Sequence, residues 1–134
     1  MEWTTELRYK RYEDWTEEEK KQIKENMANS PWHTHYHVEP KTGLLNDPNG
    51  FSYFNGKWIL FYQNFPFGAA HGLKSWVQLE SDDLVHFKET GLKVLPDTPL
   101  DSHGAYSGSA MQFDDKLFLF YTGNVRDENW IRHP

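Results

Sequence analysis

A pair of aromatic runs limits the fold of this chain more than any other feature. Residues 51–54 and 57–63 are rich in Phe, Tyr and Trp and are joined by Asn55-Gly56. Asn-Gly favours a type I′ turn, because both of its residues tolerate positive φ, and this turn links antiparallel strands. The sequence therefore predicts a β-hairpin and a largely antiparallel fold.

The hairpin pattern recurs later in the chain. Residues 105–113 and 116–122 flank a predicted turn at Asp114-Asp115, and a shift of 59 positions aligns five identities across residues 54–62. A repeated all-β unit separated by loops is typical of a β-propeller. Because propeller repeats usually span roughly 40–50 residues, the longer period predicts loop insertions.

Residues 43–51 place one carboxylate in a constrained backbone. Pro48 fixes its own φ and favours an extended Asp47, while Asn49-Gly50 favours a tight turn with positive φ. A rigid, hydrogen-bonded carboxylate suits a nucleophile or an electrostatic stabiliser, although the same residue types also form ordinary surface turns.

The repeat also has a consequence for Asp47. The 59-residue shift carries Asp47 onto Tyr106, and both lie near the start of the first strand of their unit. Equivalent positions in successive propeller blades converge towards the axis. We therefore expect Asp47 to face the same pocket as Tyr106-Ser107.

The N-terminal part predicts a surface helix over residues 12–27. Asp14 and Glu17 have the spacing of a capping box, with Asp14 as the N-cap. The apolar stripe of this segment is thin, which indicates a helix lying on a larger body. Residues 1–30 are therefore predicted to form an N-terminal helical extension.

Three histidines follow this helix at alternate positions. His33, His35 and His37 would share one face of an extended strand. A metal site is one interpretation, but the segment has no Cys and no evident carboxylate to complete the ligands. Polar strand residues beside a cleft are the favoured interpretation, and no metal or cofactor is predicted.

Composition excludes several classes of function. With 134 residues the chain is one domain or part of one, and its net charge of −6 without a long basic run argues against nucleic acid as a partner. The chain has no Cys, so it has no disulfide framework. No signal-peptide pattern or membrane-length apolar run is present, which predicts a cytoplasmic protein without a membrane partner.

Several motifs together resemble glycoside hydrolase family 32. In chain order these are Asn46-Asp47-Pro48-Asn49-Gly50, Phe61-Tyr62-Gln63, Trp76 and Tyr106-Ser107-Gly108-Ser109-Ala110. Residues 30–32, 71–74, 101–106 and 121–130 resemble the bacterial sucrose-6-phosphate hydrolase branch of that family. The resemblance covers nearly the whole chain and implies an all-β fold, a partial five-bladed β-propeller of about two blades. Residues 31–134 would form this N-terminal part of the propeller domain.

The resemblance also implies an activity, the retaining hydrolysis of a β-fructofuranosyl bond in sucrose 6-phosphate or sucrose. Asp47 would be the nucleophile. The residues implied to line the fructose subsite are Asn46, Gln63, Trp76, Tyr106 and Ser107. Core packing is an equally reasonable interpretation of Trp76 and Tyr106 when the resemblance is set aside.

Two motifs of the family are missing from the chain. These are the Arg-Asp-Pro motif, whose Asp stabilises the transition state, and the Glu-Cys motif that carries the acid/base. Arg126-Asp127 is followed by Glu128 and is interpreted as a loop feature. The chain is therefore expected to be an N-terminal fragment that is inactive alone, with phosphate-binding residues that the sequence does not identify.

Two alternatives remain open at this point. One is a non-catalytic sugar-binding or scaffold fragment, which could associate with itself through exposed propeller edges. The other is a hydrolase of the same fold with a different substrate, such as sucrose, a fructan (a fructan hydrolase) or an arabinose-containing glycan.

Overall fold

The computed structural model describes residues 2–134. Three helical segments precede eight strands in this part of the chain. The helical segments are α1 (Thr5–Arg8), a 3₁₀ turn (Tyr12–Asp14) and α2 (Glu17–Ala28). The strands are β1 (Leu44–Phe54), β2 (Lys57–Phe65), β3 (Ser75–Ser81), β4 (Phe87–Val94), β5 (Ala105–Phe113), β6 (Lys116–Gly123), β7 (Val125–Arg126) and β8 (Arg132–His133). Within residues 2–134, no helix has the length and apolar character needed to cross a membrane.

Strands β1 to β4 form one antiparallel sheet in the order β1-β2-β3-β4. The predicted first hairpin is confirmed, since Asn55 and Gly56 connect β1 to β2 with φ values of 51° and 77°. Positive φ at both positions is the signature of a type I′ turn. Four antiparallel strands of consecutive order are the content of one propeller blade.

Strands β5 and β6 form the second predicted hairpin, which pairs as a separate two-stranded sheet. The short strands β7 and β8 pair with each other immediately after it. The chain thus contains one four-stranded blade and the first hairpin of another. Association through the exposed strand edges stays a prediction, as does the division of domains at residue 30.

Each hairpin carries a two-residue bulge at the same place in its first strand. In β1 the bulge is Asn46-Asp47, which lies opposite the single residue Gln63 of β2. In β5 the bulge is Tyr106-Ser107, which lies opposite a single residue of β6. A bulge of two residues against one redirects the side chains that it carries. The two units of the internal repeat therefore share the position of this bulge as well as the hairpin itself.

A second bulge in β1, at Gly50-Phe51, corrects the expected alignment of the two units. This extra residue makes Asp47 equivalent to Ser107, and not to Tyr106 as the uniform shift of 59 positions predicts. Gly50 has the expected positive φ, 55°, but it lies inside the strand and not in a tight turn. Gly50 adopts its left-handed conformation as one of the two bulge residues, and strand pairing continues on both sides of the bulge.

The core consists of aromatic and aliphatic clusters between and beside the sheets. One cluster lies where the two blades meet and consists of Ile59, Phe61, Trp76 and Ala105. Another joins the N-terminal segment to the end of β2, where Trp15 stacks on Phe67 with 4.3 Å between ring centroids. This docking fixes the N-terminal segment beside the first blade.

The predicted start of the helix is wrong by several residues. Thr16 is the N-cap of α2: its hydroxyl accepts the Glu19 amide at 3.2 Å, and the Glu19 carboxylate accepts the Thr16 amide at 2.7 Å. Asp14 lies in the 3₁₀ turn instead. Burial of Trp15 explains the difference, because its extended backbone (φ −74°, ψ 120°) carries the ring into the core and breaks any helix at that point.

The three-histidine segment is not a strand. The region around His33 forms turns and bends on the surface. Glu39 folds back on it, with Oε1 2.8 Å from His33 Nδ1 and Oε2 accepting the Thr34 amide at 3.0 Å. This hydrogen bond raises the pKa of His33. Within residues 2–134, no three His, Asp or Glu side chains are grouped as metal ligands would be.

Candidate active site

The Asp47 carboxylate lies where the two blades meet. Its Oδ2 accepts the Ser107 hydroxyl at 2.8 Å and the Gln63 amide nitrogen at 3.3 Å. The same Gln63 nitrogen also donates to Ser107 Oγ at 2.8 Å. Gln63 is buried and Asp47 is exposed. The carboxylate is therefore hydrogen-bonded to a buried side chain on one side and open to solvent on the other. The structure thus brings Asp47, Gln63 and Ser107 together as the sequence predicts.

Asn49 fixes the backbone of this site. Its buried side chain donates to the Asp47 carbonyl at 2.9 Å and accepts the Gly108 amide of β5 at 3.0 Å. One amide group therefore ties the bulge of β1 to the strand that carries Ser107. Sequence reasoning assigned Asn49 only to a turn, since nothing local indicates its partner 59 residues away.

An open cavity of about 470 Å³ lies beside Asp47. The predicted residues Asn46, Gln63, Tyr106 and Ser107 all contribute to its wall. The Oδ1 atom of Asn46 is buried and has no hydrogen-bond partner among the described residues. A buried acceptor without a donor costs free energy, so this atom is notable in a binding site.

Tyr106 is flanked by cations and by the bare backbone of Gly104. Lys74 Nζ and the Arg132 guanidinium each lie 5.2 Å from its ring centroid. Burial raises the pKa of the Tyr106 hydroxyl above its ordinary value. Gly104 has φ 131°, and a Cβ built there would come within 2.7 Å of the ring. Glycine is therefore required for this close approach.

Trp76 is not on the cavity wall, which corrects the expected subsite. Its side chain is completely buried in the cluster between the blades, against Phe61. The indole nitrogen donates to the Tyr106 carbonyl at 3.0 Å. Trp76 therefore supports the β5 bulge from the core, which is the packing role that the sequence left open for it.

Sequence reasoning missed the basic side chains of the cavity. Four cations and one histidine contribute to the wall: Arg8, Lys74, Arg126, Arg132 and His71. They come from separate segments, so local patterns do not connect them. Only residues 71–74 and 121–130, used above for the family resemblance, could have drawn attention to some of them. Nothing in the sequence singles out Arg8 or Arg132.

A blade of four antiparallel strands, followed by the start of a second one, defines a β-propeller type of protein, and its polar cavity centres on one fixed carboxylate. Enzymes that act on glycosides use a fixed carboxylate of this kind together with a second carboxyl group. Comparison with known proteins gives the family. The sequence profile described as "Glycosyl hydrolases family 32 N-terminal domain" matches residues 37–133. The chain belongs to glycoside hydrolase family 32.

Three of the similar proteins are sucrose-6-phosphate hydrolases. The chain is 77% identical over 128 residues to the sucrose-6-phosphate hydrolase of Streptococcus mutans, covering 96% of the chain and 27% of that protein. It is 58% identical to the Lactococcus lactis sucrose-6-phosphate hydrolase, covering 100% of the chain and 28% of that protein. The structure of sucrose-6-phosphate hydrolase from Lactobacillus gasseri is similar with a TM-score of 0.92 and 53% identity, covering 98% of this chain and 27% of that one.

The chain thus spans about a quarter of the length of the curated relatives that it matches. The expected fold class is confirmed: an all-β chain that forms the N-terminal part of a five-bladed β-propeller, with an N-terminal α-helix.

Proposed function

We propose that this chain is the nucleophile-bearing part of a retaining β-fructofuranosidase that acts on sucrose 6-phosphate. The observation that carries the proposal is the Asp47 carboxylate, held by Ser107 and Gln63 in an open polar cavity. The descriptions of the Streptococcus mutans and Lactococcus lactis proteins support the substrate. The cytoplasmic location stays a prediction.

The geometry suits a nucleophile. Both hydrogen bonds from residues 2–134 reach Oδ2 of Asp47, which leaves Oδ1 free to attack. In a retaining mechanism this oxygen would bond to the anomeric carbon of the fructosyl group while the leaving oxygen takes a proton from an acid. Water would then cleave the fructosyl ester with retention. Fixing the carboxylate in advance lowers the entropic cost of the attack.

The neighbouring side chains suit a sugar. Asn46 offers an unpartnered buried Oδ1 that a sugar hydroxyl could satisfy as donor. Tyr106 adds a protonated hydroxyl, and Ser107 and Gln63 add polar atoms next to Asp47. We assign Trp76 an indirect role, since its indole holds the Tyr106 carbonyl from the core.

The chain supplies one of the two carboxyl groups that the mechanism needs. Retaining glycosidases place them about 5–5.5 Å apart. Asp47 is the one carboxylate on the cavity wall within residues 2–134. The described cavity wall offers no candidate for the acid/base group, and the 134-residue chain alone is expected to be inactive. Sugar binding without turnover by the isolated chain is the alternative function that this observation favours.

A hybrid enzyme tests the proposal. This chain would replace the N-terminal quarter of the Streptococcus mutans enzyme, to which it is 77% identical. Release of glucose 6-phosphate from sucrose 6-phosphate, with sucrose and a fructan assayed alongside, would establish activity and preference. In methanol, a methyl β-fructoside as the first product would establish retention.

Asp47→Asn in the hybrid is expected to lower kcat at least about 10³-fold, as removal of a covalent nucleophile does. Asp115→Asn, at an exposed turn of the second hairpin, makes the same chemical change away from the cavity and is the matched control. Thermal unfolding of both variants should match the parent. Substantial turnover by a folded Asp47→Asn hybrid would refute the assignment of Asp47.

A further inference from the structure

The cavity beside Asp47 collects positive charge on an otherwise acidic chain. Arg8, Lys74, Arg126 and Arg132 all contribute to its wall, whereas the net charge of the chain is −6. Within residues 2–134, none of the four forms an ion pair with a carboxylate, although five other lysines do. Asp47 is the single opposing charge on the wall of the described cavity.

Lys74 is the least expected of these cations. Its side chain is 7% exposed, and its Nζ donates no hydrogen bond to any described residue. Burial, the largest effect, lowers the pKa of Lys74; Asp47 acts in the opposite direction and Arg132 adds to the lowering. Burying an unpaired ammonium is costly. Such a group suits a site that is completed by an anion from outside the protein.

Arg126 and Arg132 are held in place by contacts within the chain, although their like charges repel one another. Arg126 and Arg132 lie directly opposite in the β7–β8 pair, an arrangement in which like charges destabilise strand pairing. Arg126 donates to the Trp130 carbonyl at 2.8 Å, and its guanidinium lies 5.6 Å from the Tyr9 ring centroid. The Nε atoms of Arg126 and Arg8 are buried without partners among residues 2–134.

The N-terminal segment is tied to the same place. The Leu73 amide donates to the Arg8 carbonyl at 2.7 Å, and the Ala105 amide donates to the Lys74 carbonyl at 2.9 Å. The backbones that carry Arg8, Lys74 and the start of β5 are thus linked in series. Docking of Trp15 in the core therefore also fixes the N-terminal contribution to the cavity.

We infer that Lys74, Arg126 and Arg132, with Arg8 beside them, form the subsite for the phosphate group of the substrate. The inference rests on the proposed function, and it names the residues that distinguish a sugar phosphate from a free sugar. A phosphate monoester carries close to two negative charges near neutral pH, and guanidinium groups bind it with directed hydrogen bonds. A bound dianion would relieve the repulsion between Arg126 and Arg132 and would give the Lys74 ammonium a partner.

The first test uses the 134-residue chain and inorganic phosphate as the probe. Titration followed by NMR or calorimetry should show saturable binding that weakens as ionic strength rises. Arg132→Gln should weaken it about 10- to 100-fold, the usual effect of removing a hydrogen bond between charged groups. Arg11→Gln makes the same change outside the cavity, where Arg11 donates to the Pro96 carbonyl, and should leave binding unchanged.

The second test separates a role in specificity from a role in structure. In the hybrid enzyme, Lys74→Met should lower the ratio of kcat/KM for sucrose 6-phosphate to kcat/KM for sucrose about 10-fold or more. The same variant should unfold at the same or a higher temperature, because it replaces a buried unpaired charge with an apolar side chain of similar length. A residue that served only to stabilise the fold would give the opposite result in unfolding.

The outcomes separate the two proposals. If the hybrid hydrolyses both sugars and neither Lys74→Met nor Arg132→Gln changes the ratio, the phosphate subsite is refuted while the proposed function stands. If the hybrid hydrolyses neither sugar, the proposed function fails. Phosphate titration of the 134-residue chain then decides on the subsite by itself, since binding that is absent or equal in Arg132→Gln and Arg11→Gln would refute it.

Discussion

Trp76 joins the two blades, and its replacement by Phe tests how strongly the core supports the cavity. The indole is completely buried beside Phe61, and it donates to the Tyr106 carbonyl at 3.0 Å. Phe keeps the aromatic packing and removes the donor. The Tyr106 carbonyl then lies next to the core without this partner, at the bulge that presents the Tyr106 ring to the cavity.

Two effects set the expected loss of stability. An acceptor left without its donor in a buried place costs about 1–3 kcal/mol. The smaller ring leaves roughly 40 Å³ unfilled, which at about 24 cal/mol per Å³ adds about 1 kcal/mol. Trp76→Phe should therefore lower the free energy of unfolding by about 2–4 kcal/mol, a large part of the stability of a small domain.

Urea denaturation followed by circular dichroism measures this loss. With a slope of about 2 kcal/mol per M, the midpoint should fall by about 1–2 M. Trp58→Phe is the matched control, because Trp58 is partly exposed and stacks on Phe51 with 5.5 Å between centroids. If Trp76→Phe costs no more than Trp58→Phe, the carbonyl contact does not support the bulge and the reasoning is refuted.

Two further predictions concern the N-terminal helix and the second hairpin. Thr16→Ala should lower the free energy of unfolding by about 1 kcal/mol through loss of the N-cap, whereas Asp14→Ala should change it little; thermal unfolding of both variants decides between the observed and the predicted helix start. Tyr121 donates to Asp101 at 2.7 Å, and this bond, the largest effect, raises the pKa of Tyr121 to about 12. Its contribution to stability is therefore complete below the unfolded pKa of about 10 and is lost as pH rises through 12. Tyr121→Phe should make the unfolding temperature fall less steeply across that range, and an unchanged slope would contradict the assignment.

The sequence predicted those features that depend on neighbouring residues. Both hairpins follow from aromatic runs around short turns, and the positive φ of Asn55 and Gly56 is a property of the residues themselves. The convergence of Asp47 with Ser107 also followed from the repeat. Its alignment was wrong by one residue because the sequence gives no sign of the additional bulge at Gly50.

Features that depend on distant partners were beyond local reasoning. Two capping boxes overlap in the sequence, and burial of Trp15 against Phe67, more than 50 residues away, decides between them. Alternation of histidines suggested a strand, but Glu39 folds back onto His33 and bends the segment. Strand β4 (Phe87–Val94) was not predicted, because its mixture of charged residues and Gly91 lacks the aromatic pattern of the other strands.

The residues of the cavity wall also depend on contacts between distant parts of the chain, which local sequence patterns do not predict. Trp76 could equally be a wall residue or a core residue from its sequence, and only the packing of β3 against β5 places it inside. The cations of the cavity come from α1, from Lys74 immediately before β3, and from β7 and β8. No spacing rule connects these segments, since docking of the N-terminal segment brings Arg8 to the others.

The two equivalent bulges fix where the side chains of this site lie, and the residues that occupy the bulges determine its chemistry. Backbone pairing alone decides that two adjacent positions in each first strand project towards the meeting point of the blades. One blade fills its two slots with Asn46 and Asp47, and the next fills the equivalent slots with Tyr106 and Ser107. A duplicated unit of this kind can exchange side chains at such slots without altering the frame that holds them. One copy can therefore carry the reactive group and the other the groups that bind the substrate, with a different pair of residues at the bulge of each copy.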